Sequence, residues 1–199
     1  MMDLSQAPLG VILAGGQATR MGGGDKGLLP LGAGTILSHV IARLEPQVEG
    51  LALNANGDPS RFADLDMPVV PDSIDGFAGP LSGVLAGLDW AATQGASHIV
   101  TAAADTPFFP CDLVPQLVRA ADKKGAQMAL AATPGGRHPT FGLWPVALRD
   151  DLRAALQDGL RKVVLWTDKH GAATAEFPDD AAFFNVNTPD DLTKAKAML

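Results

Sequence analysis

Leu9-Gly10-Val11-Ile12-Leu13-Ala14-Gly15-Gly16 is the stretch that decides the fold. A short apolar run stops abruptly at paired glycines. A strand apolar on both faces is one covered on both faces, as in parallel sheets. Outward from it the pattern repeats. Strand-like runs at 51–53, 68–70 and 98–102 alternate with helix-length segments at 36–44, 80–93 and 111–124. The last of these sets Leu113, Val114, Leu117, Val118 and Ala121 on one stripe, the spacing of an amphipathic helix. Such alternation predicts an α/β fold: one domain over residues 1–199, three-layer α/β/α and Rossmann-like, with a mostly parallel sheet. The second half is less regular. Residues 128–132 and 140–144 predict a ribbon with antiparallel pairing, 146–157 and 161–169 predict helices, and 174–177 a last strand. Thr188-Pro189-Asp190-Asp191 opens a terminal helix, with Thr as N-cap, Pro at N1 and carboxylates in the first turn.

The 199 residues can bury a sizeable core, and a hydrophobic fraction of 47% excludes a disordered chain. Fifteen Lys+Arg against 22 Asp+Glu give a net charge of −7, which excludes an electrostatic footprint for duplex nucleic acid or an anionic membrane. An anion would have to be held by a few placed cations and backbone N–H groups. The single cysteine, Cys111, excludes an internal disulfide, and no Cys/His pair has zinc-ligand spacing. No stretch approaches the roughly 20 apolar residues of a membrane span. A cytoplasmic monomer is the expectation.

Residues 13–27 carry most of the chemistry. Glycines let a backbone wrap closely around a ligand and aim its N–H groups inward. Arg20 and Lys26 are the cations of this segment, and in an acidic chain a cation pair within a glycine-rich loop points to a polyphosphate. Gly22 to Gly27 satisfies G-x-G-x-x-G but lies nine residues beyond Leu13 and runs into Leu28-Leu29-Pro30, where a dinucleotide fingerprint would follow the strand directly. A Walker loop fails as well, because Gly27 and Leu28 follow Lys26. Gly15, Asn54, Asp72 and Asp105 each follow a predicted strand, so all four fall on the carboxyl edge, where open α/β sheets bind ligands. Asp105 follows the apolar run 100–104. A carboxylate there needs a cation or several donors, and Mg²⁺, held by one or two acids together with substrate phosphates and waters, suits it. Pro80, at an expected N1 position, would aim a further helix N-terminus at the same edge.

Leu13-Ala14-Gly15-Gly16, Arg20-Met21-Gly22-Gly23 and Asp25-Lys26-Gly27-Leu28 together resemble the N-terminal signature of the molybdenum cofactor guanylyltransferases, nucleotidyltransferases of the nucleoside-diphosphate-sugar transferase-like fold group. Asn54-Ala55-Asn56, Pro71-Asp72, Gly79-Pro80-Leu81, Asp105-Thr106-Pro107, Arg137-His138-Pro139-Thr140 and Asn185-Val186-Asn187-Thr188-Pro189 extend the likeness along the chain. The resemblance implies transfer of GMP from GTP to molybdenum-molybdopterin. It implies GTP binding by Leu13, Ala14, Gly15, Lys26, Asn54, Asp72 and Asp105, and Mg²⁺ on Asp105. Arg20, Lys26 and Asp105 are the expected catalytic groups. The part up to about residue 110 would take the nucleotide and the remainder the acceptor, with His138, Asn185 and Asn187 as acceptor-side candidates. Alternation along a strand would aim Asn185 and Asn187 to one face. Molybdenum insertion proteins, apo-molybdoenzymes and their chaperones are the partners so implied. Phosphate-binding groups do not report the base, so cytidylyl transfer to molybdopterin and nucleotidyl transfer to a sugar phosphate remain alternatives, as does a non-catalytic nucleotide-binding module.

Overall fold

Side-chain alternation on the central strands sets the layers. The computed structural model describes residues 7–15, 25–74, 76 and 79–199. Along the chain run β1 (Leu9–Leu13), β2 (Pro30–Leu31), β3 (Gly34–Thr35), α1 (Ile36–Leu44), β4 (Leu51–Asn54), β5 (Val69–Val70), α2 (Pro80–Thr93) and β6 (His98–Ala103). There follow α3 (Leu113–Lys124), β7 (Ala129–Thr133), β8 (Gly136–Pro145), α4 (Arg149–Gln157), α5 (Val163–Lys169), β9 (Ala173–Glu176) and α6 (Pro189–Ala197). The main sheet has the order β5-β4-β1-β6-β8-β7-β9. Its pairs are parallel except where β8 runs against both β6 and β7. The expected three-layer, mostly parallel α/β/α fold with antiparallel pairing in the C-terminal half is thus what the chain forms.

Ile12, Val100, Ala102, Ala129 and Ala131 face a core closed by Leu37, Val40 and Leu44 of α1 and by Leu113 and Leu117 of α3. The alternate residues Val11, Ile99, Met128 and Leu130 face Leu81, Val84, Leu85 and Leu88 of α2, with Leu152 of α4 and Trp166 of α5. Gly87 lets α2 lie directly on the sheet: a Cβ there would stand 2.8 Å from Val11 Cγ2. A third cluster, Leu31, Ile36, Val186 and Ala195, seats α6 against the β2–β3 hairpin. Among the described residues, no helix is long and apolar enough to cross a membrane.

Local chemistry accounts for the boundaries. Thr35 and Ser38 form a reciprocal capping box that starts α1. Pro80 starts α2 after Gly79, whose φ of 129° suits glycine. Several expectations need correction. The segment 146–157 is a 3-10 turn, Val146–Leu148, followed by α4, because Pro145 and the turn precede the first regular i→i−4 bonds. Helices α3 and α5 begin two residues later than their patterns predicted. Strand β8 begins at Gly136 rather than residue 140: the polar residues Arg137 and His138 still pair with Ala132 and Ala131, so backbone pairing outruns the apolar pattern. Asn185–Asn187 belong to no strand.

Candidate active site

The ladder continues past the strand ends. Ala14 N–H donates to Asn54 O (2.8 Å), Ala104 N–H to Leu13 O (3.1 Å) and Ala55 N–H to Val70 O (3.1 Å). The residues after β1, β4, β5 and β6 therefore lie side by side, as their common position at the carboxyl edge predicted. Leu13, Ala14, Asp25, Lys26, Gly27, Leu37, Phe62, Ala104 and Asp105 line a cleft at this edge.

Lys26 opens a short 3-10 turn, Lys26–Leu28, pressed onto α1: a Cβ on Gly27 would stand 3.2 Å from Leu37 Cβ. Its Nζ donates to Asn187 Oδ1 at 2.8 Å and lies 3.9 Å from Asp105 Oδ2. Burial pushes the Asp105 carboxyl above the usual carboxylate range; Lys26 and the Thr106 hydroxyl oppose this without overcoming it. Thr106 Oγ1 donates to Asn185 Oδ1 at 2.6 Å and lies 3.3 Å from Asp105 Oδ1. Val186 N–H donates to Asp105 O at 2.8 Å, which lays residues 185–187 along the end of β6. Both Asn side chains reach the one cluster, not from the expected strand but from an extended segment fixed by α6. There Asp191 Oδ2 accepts from the N–H groups of Asn187 (3.1 Å) and Thr188 (3.0 Å), while Thr188 Oγ1 accepts from Asp191 N–H.

A second cluster forms across β4 and β5. Asn54, 2% exposed, donates through Nδ2 to Val70 O (3.2 Å) and Asp72 Oδ1 (3.0 Å). Asn56 Nδ2 donates to Asp72 Oδ2 (2.9 Å), and Asp72 N–H donates to Asn56 Oδ1 (2.8 Å). The first turn of α2 abuts this cluster through Gly83, where a Cβ would lie 3.0 Å from Asn54 Cγ and 2.9 Å from Leu13 Cδ2. Gly15 is at the same place, since a Cβ on it would stand 3.7 Å from Asn54 Oδ1.

His138, expected on the acceptor side, stands apart. His138 stacks on Phe183 at 4.3 Å between centroids, and its Nε2 is 2.8 Å from Thr133 Oγ1. Burial lowers its pKa, against the pull of Asp180. It shares the sheet edge but makes no polar contact with Lys26 or Asp105. Arg137, beside it, pairs with Asp168 at 2.6 Å on the surface. Arg20 lies outside the described residues.

Thr106, Gly83 and Arg61 were not singled out from the sequence. Arg61 Nε is 2.8 Å from Asp25 Oδ2, and its Nη2 donates to Asn56 O. It stands in a 3-10 turn, Pro59–Phe62, in a segment without periodicity. Thr106 is fully buried beside Asp105, and its place within the quoted Asp105-Thr106-Pro107 was the available signal.

A half-buried acid, a lysine held beside it and a rim of amides make an edge suited to a polyanion bound with a cation. Among the described residues, no group of three or more His, Cys, Asp or Glu gathers to cage a metal by itself.

Residues 10–172 match the family model described as MobA-like NTP transferase domain. Molybdenum cofactor guanylyltransferase from Mesorhizobium japonicum is 50% identical over 197 residues, covering 96% of this chain and 95% of its own. The enzyme of the same name from Rhodopseudomonas palustris (strain HaA2) is 52% identical over 197 residues, covering 96% and 92%. Molybdopterin-guanine dinucleotide biosynthesis protein A from Archaeoglobus fulgidus shares the fold, with a TM-score of 0.74 at 21% identity over 96% of this chain and 97% of that one. With the family model matched over most of its length and relatives at 50–52% identity, the chain belongs to the molybdenum cofactor guanylyltransferases, within the MobA-like family of nucleotidyltransferases.

Proposed function

We propose that this protein transfers GMP from GTP to molybdenum-molybdopterin, giving the guanine dinucleotide form of the cofactor and pyrophosphate. A phosphate oxygen of the acceptor forms a bond to the α-phosphorus of GTP, and the bond from that phosphorus to the bridging oxygen of the β-phosphate breaks. The nucleophile is already ionised at neutral pH, so no general base is needed. The work that remains is positioning and neutralisation of charge.

The observation that carries this reading is the state of Asp105. It is a half-buried acid at the sheet edge, with the Lys26 ammonium 3.9 Å away and itself hydrogen-bonded to Asn187. Such a carboxylate fits Mg²⁺, which takes one or two protein acids and completes its shell with phosphates and water. When bound, the ion would supply positive charge to the phosphates and the departing pyrophosphate. Lys26 holds the phosphates from the adjacent side, with Arg20 as its expected partner. Leu13, Ala14 and Gly15 offer backbone at the end of β1, while Asn54 and Asp72 offer fixed polar groups for the rest of GTP. In this division the part up to about residue 110 takes the nucleotide. Asn185 and Asn187, with His138 further along the edge, face the acceptor.

The test is pyrophosphate release by purified protein with GTP, Mg²⁺ and molybdenum-molybdopterin, with CTP in a parallel reaction. Turnover with GTP that ceases when the metal is chelated is the expected result. Turnover with CTP alone, or metal-independent turnover, refutes the assignment.

A further inference from the structure

Arg61 stands outside both polar clusters, yet the two are joined through it. Its guanidinium lies 4.9 Å over the Phe62 ring, with Nε on Asp25 and Nη2 on the Asn56 carbonyl. Asp25 directly precedes Lys26 and occupies the N-cap of its turn, but its side chain makes no capping bond. That carboxylate is committed to Arg61 instead. Asn56 in turn holds both the carboxylate and the N–H of Asp72, and Asp72 accepts from Asn54. A continuous path therefore runs from Lys26 through Asp25, Arg61, Asn56 and Asp72 to Asn54. Gly57 leaves the guanidinium its room: a Cβ there would stand 3.2 Å from Arg61 Nη1, and its φ is +85°.

We propose that Arg61 is a positioning residue that ties the end of the glycine-rich loop to the Asn54–Asp72 cluster, fixing Lys26 at the spacing one nucleoside triphosphate requires. The identity of that nucleotide as GTP rests on the function proposed above. A half-exposed ion pair adds little to global stability. Its effect belongs to ligand binding, where a prearranged site avoids the ordering that a loose loop would undergo on binding.

The variants are R61A, R61K, D25N and the double variant R61A/D25N. They are compared by calorimetric titration of Mg-GTP without acceptor, by KM and kcat, and by melting temperature. R61A and D25N should each weaken binding about tenfold and raise KM to match, with melting held within about 2 °C of the parent. The double variant should bind no worse than the weaker single variant, and R61K should recover part of the loss. Binding by R61A within about twofold of the parent, fully additive losses, or a fall in melting that tracks the loss of binding would each overturn the proposal. If the parent binds another nucleoside triphosphate in place of GTP, the guanylyl assignment fails, and the same variants titrated with that nucleotide decide on Arg61. A parent that binds none overturns both.

Discussion

Gly83→Ala tests whether the first turn of α2 holds the Asn54–Asp72 cluster in shape. The new methyl would lie 2.9 Å from Leu13 Cδ2 and 3.0 Å from Asn54 Cγ, closer than side chains tolerate. Overpacking of this kind typically costs about 1–3 kcal/mol. Replacing glycine by alanine within a helix returns about 1 kcal/mol, which leaves a net loss of roughly 0–2 kcal/mol. For a chain of this size that lowers the melting temperature by at most about 8 °C. The larger effect falls on Asn54, which cannot yield without loosening its 3.0 Å hydrogen bond to the Asp72 carboxylate. A displaced Asn54 should lower kcat/KM for GTP by roughly tenfold, about 1.4 kcal/mol of transition-state binding. Gly87→Ala is the matched control. Its methyl meets Val11 Cγ2 at 2.8 Å and Ile99 Cδ1 at 3.0 Å, on the same helix but in the core beneath the site. Equal melting losses in the two variants, with GTP kinetics altered only in Gly83→Ala, is the expected result. Unchanged kinetics in Gly83→Ala would refute the role given to Asn54.

Asp105→Asn should abolish most turnover, by about 10²-fold or more, while raising rather than lowering the metal-free melting temperature at neutral pH. Burial raises the Asp105 pKa, so this group favours folding below its unfolded value and loses that contribution as pH rises through the folded one; the asparagine escapes the loss. Thr188→Ala removes the α6 capping box and should cost about 0.5–2 kcal/mol in urea unfolding, with KM for GTP rising as Asn187 loosens. His98 and His138 are both pushed below 6.5 by burial, so their neutral forms favour folding above that value and the contribution is lost as pH falls through the lowered pKa values. Melting temperature of the Asp105→Asn variant, which lacks the opposing Asp105 contribution, should therefore decline from about pH 6.5 downward, and a flat profile there would contradict the burial of both rings.

The sequence was most legible where one local signal sufficed. Both α1 and α2 have the predicted bounds, because Thr35 and Pro80 are start signals that need no tertiary partner. The convergence of Gly15, Asn54, Asp72 and Asp105 follows from strand direction alone. Strand β8 was misjudged at its start because backbone pairing, not apolar alternation, carries it through Arg137 and His138. Asn185 and Asn187 were grouped for a reason the fold does not use: Val186 and α6 hold them, not a strand. Arg61 was illegible because its partners, Asp25 and Asn56, lie in irregular segments, and no spacing rule links a loop cation to them. Gly83 could be seen as a glycine, but its reason is Asn54, a contact between different elements.

The bond from Lys26 to Asn187 spans 161 residues of chain. All of the chain between them must leave the ribosome before these two groups can meet, and long loops close slowly. During synthesis Lys26 emerges well before the amide that receives it. A nascent chain can assemble β1, β4 and β6 yet still lack this contact, so the lysine is fastened only after the strands that carry the rest of the edge are in place.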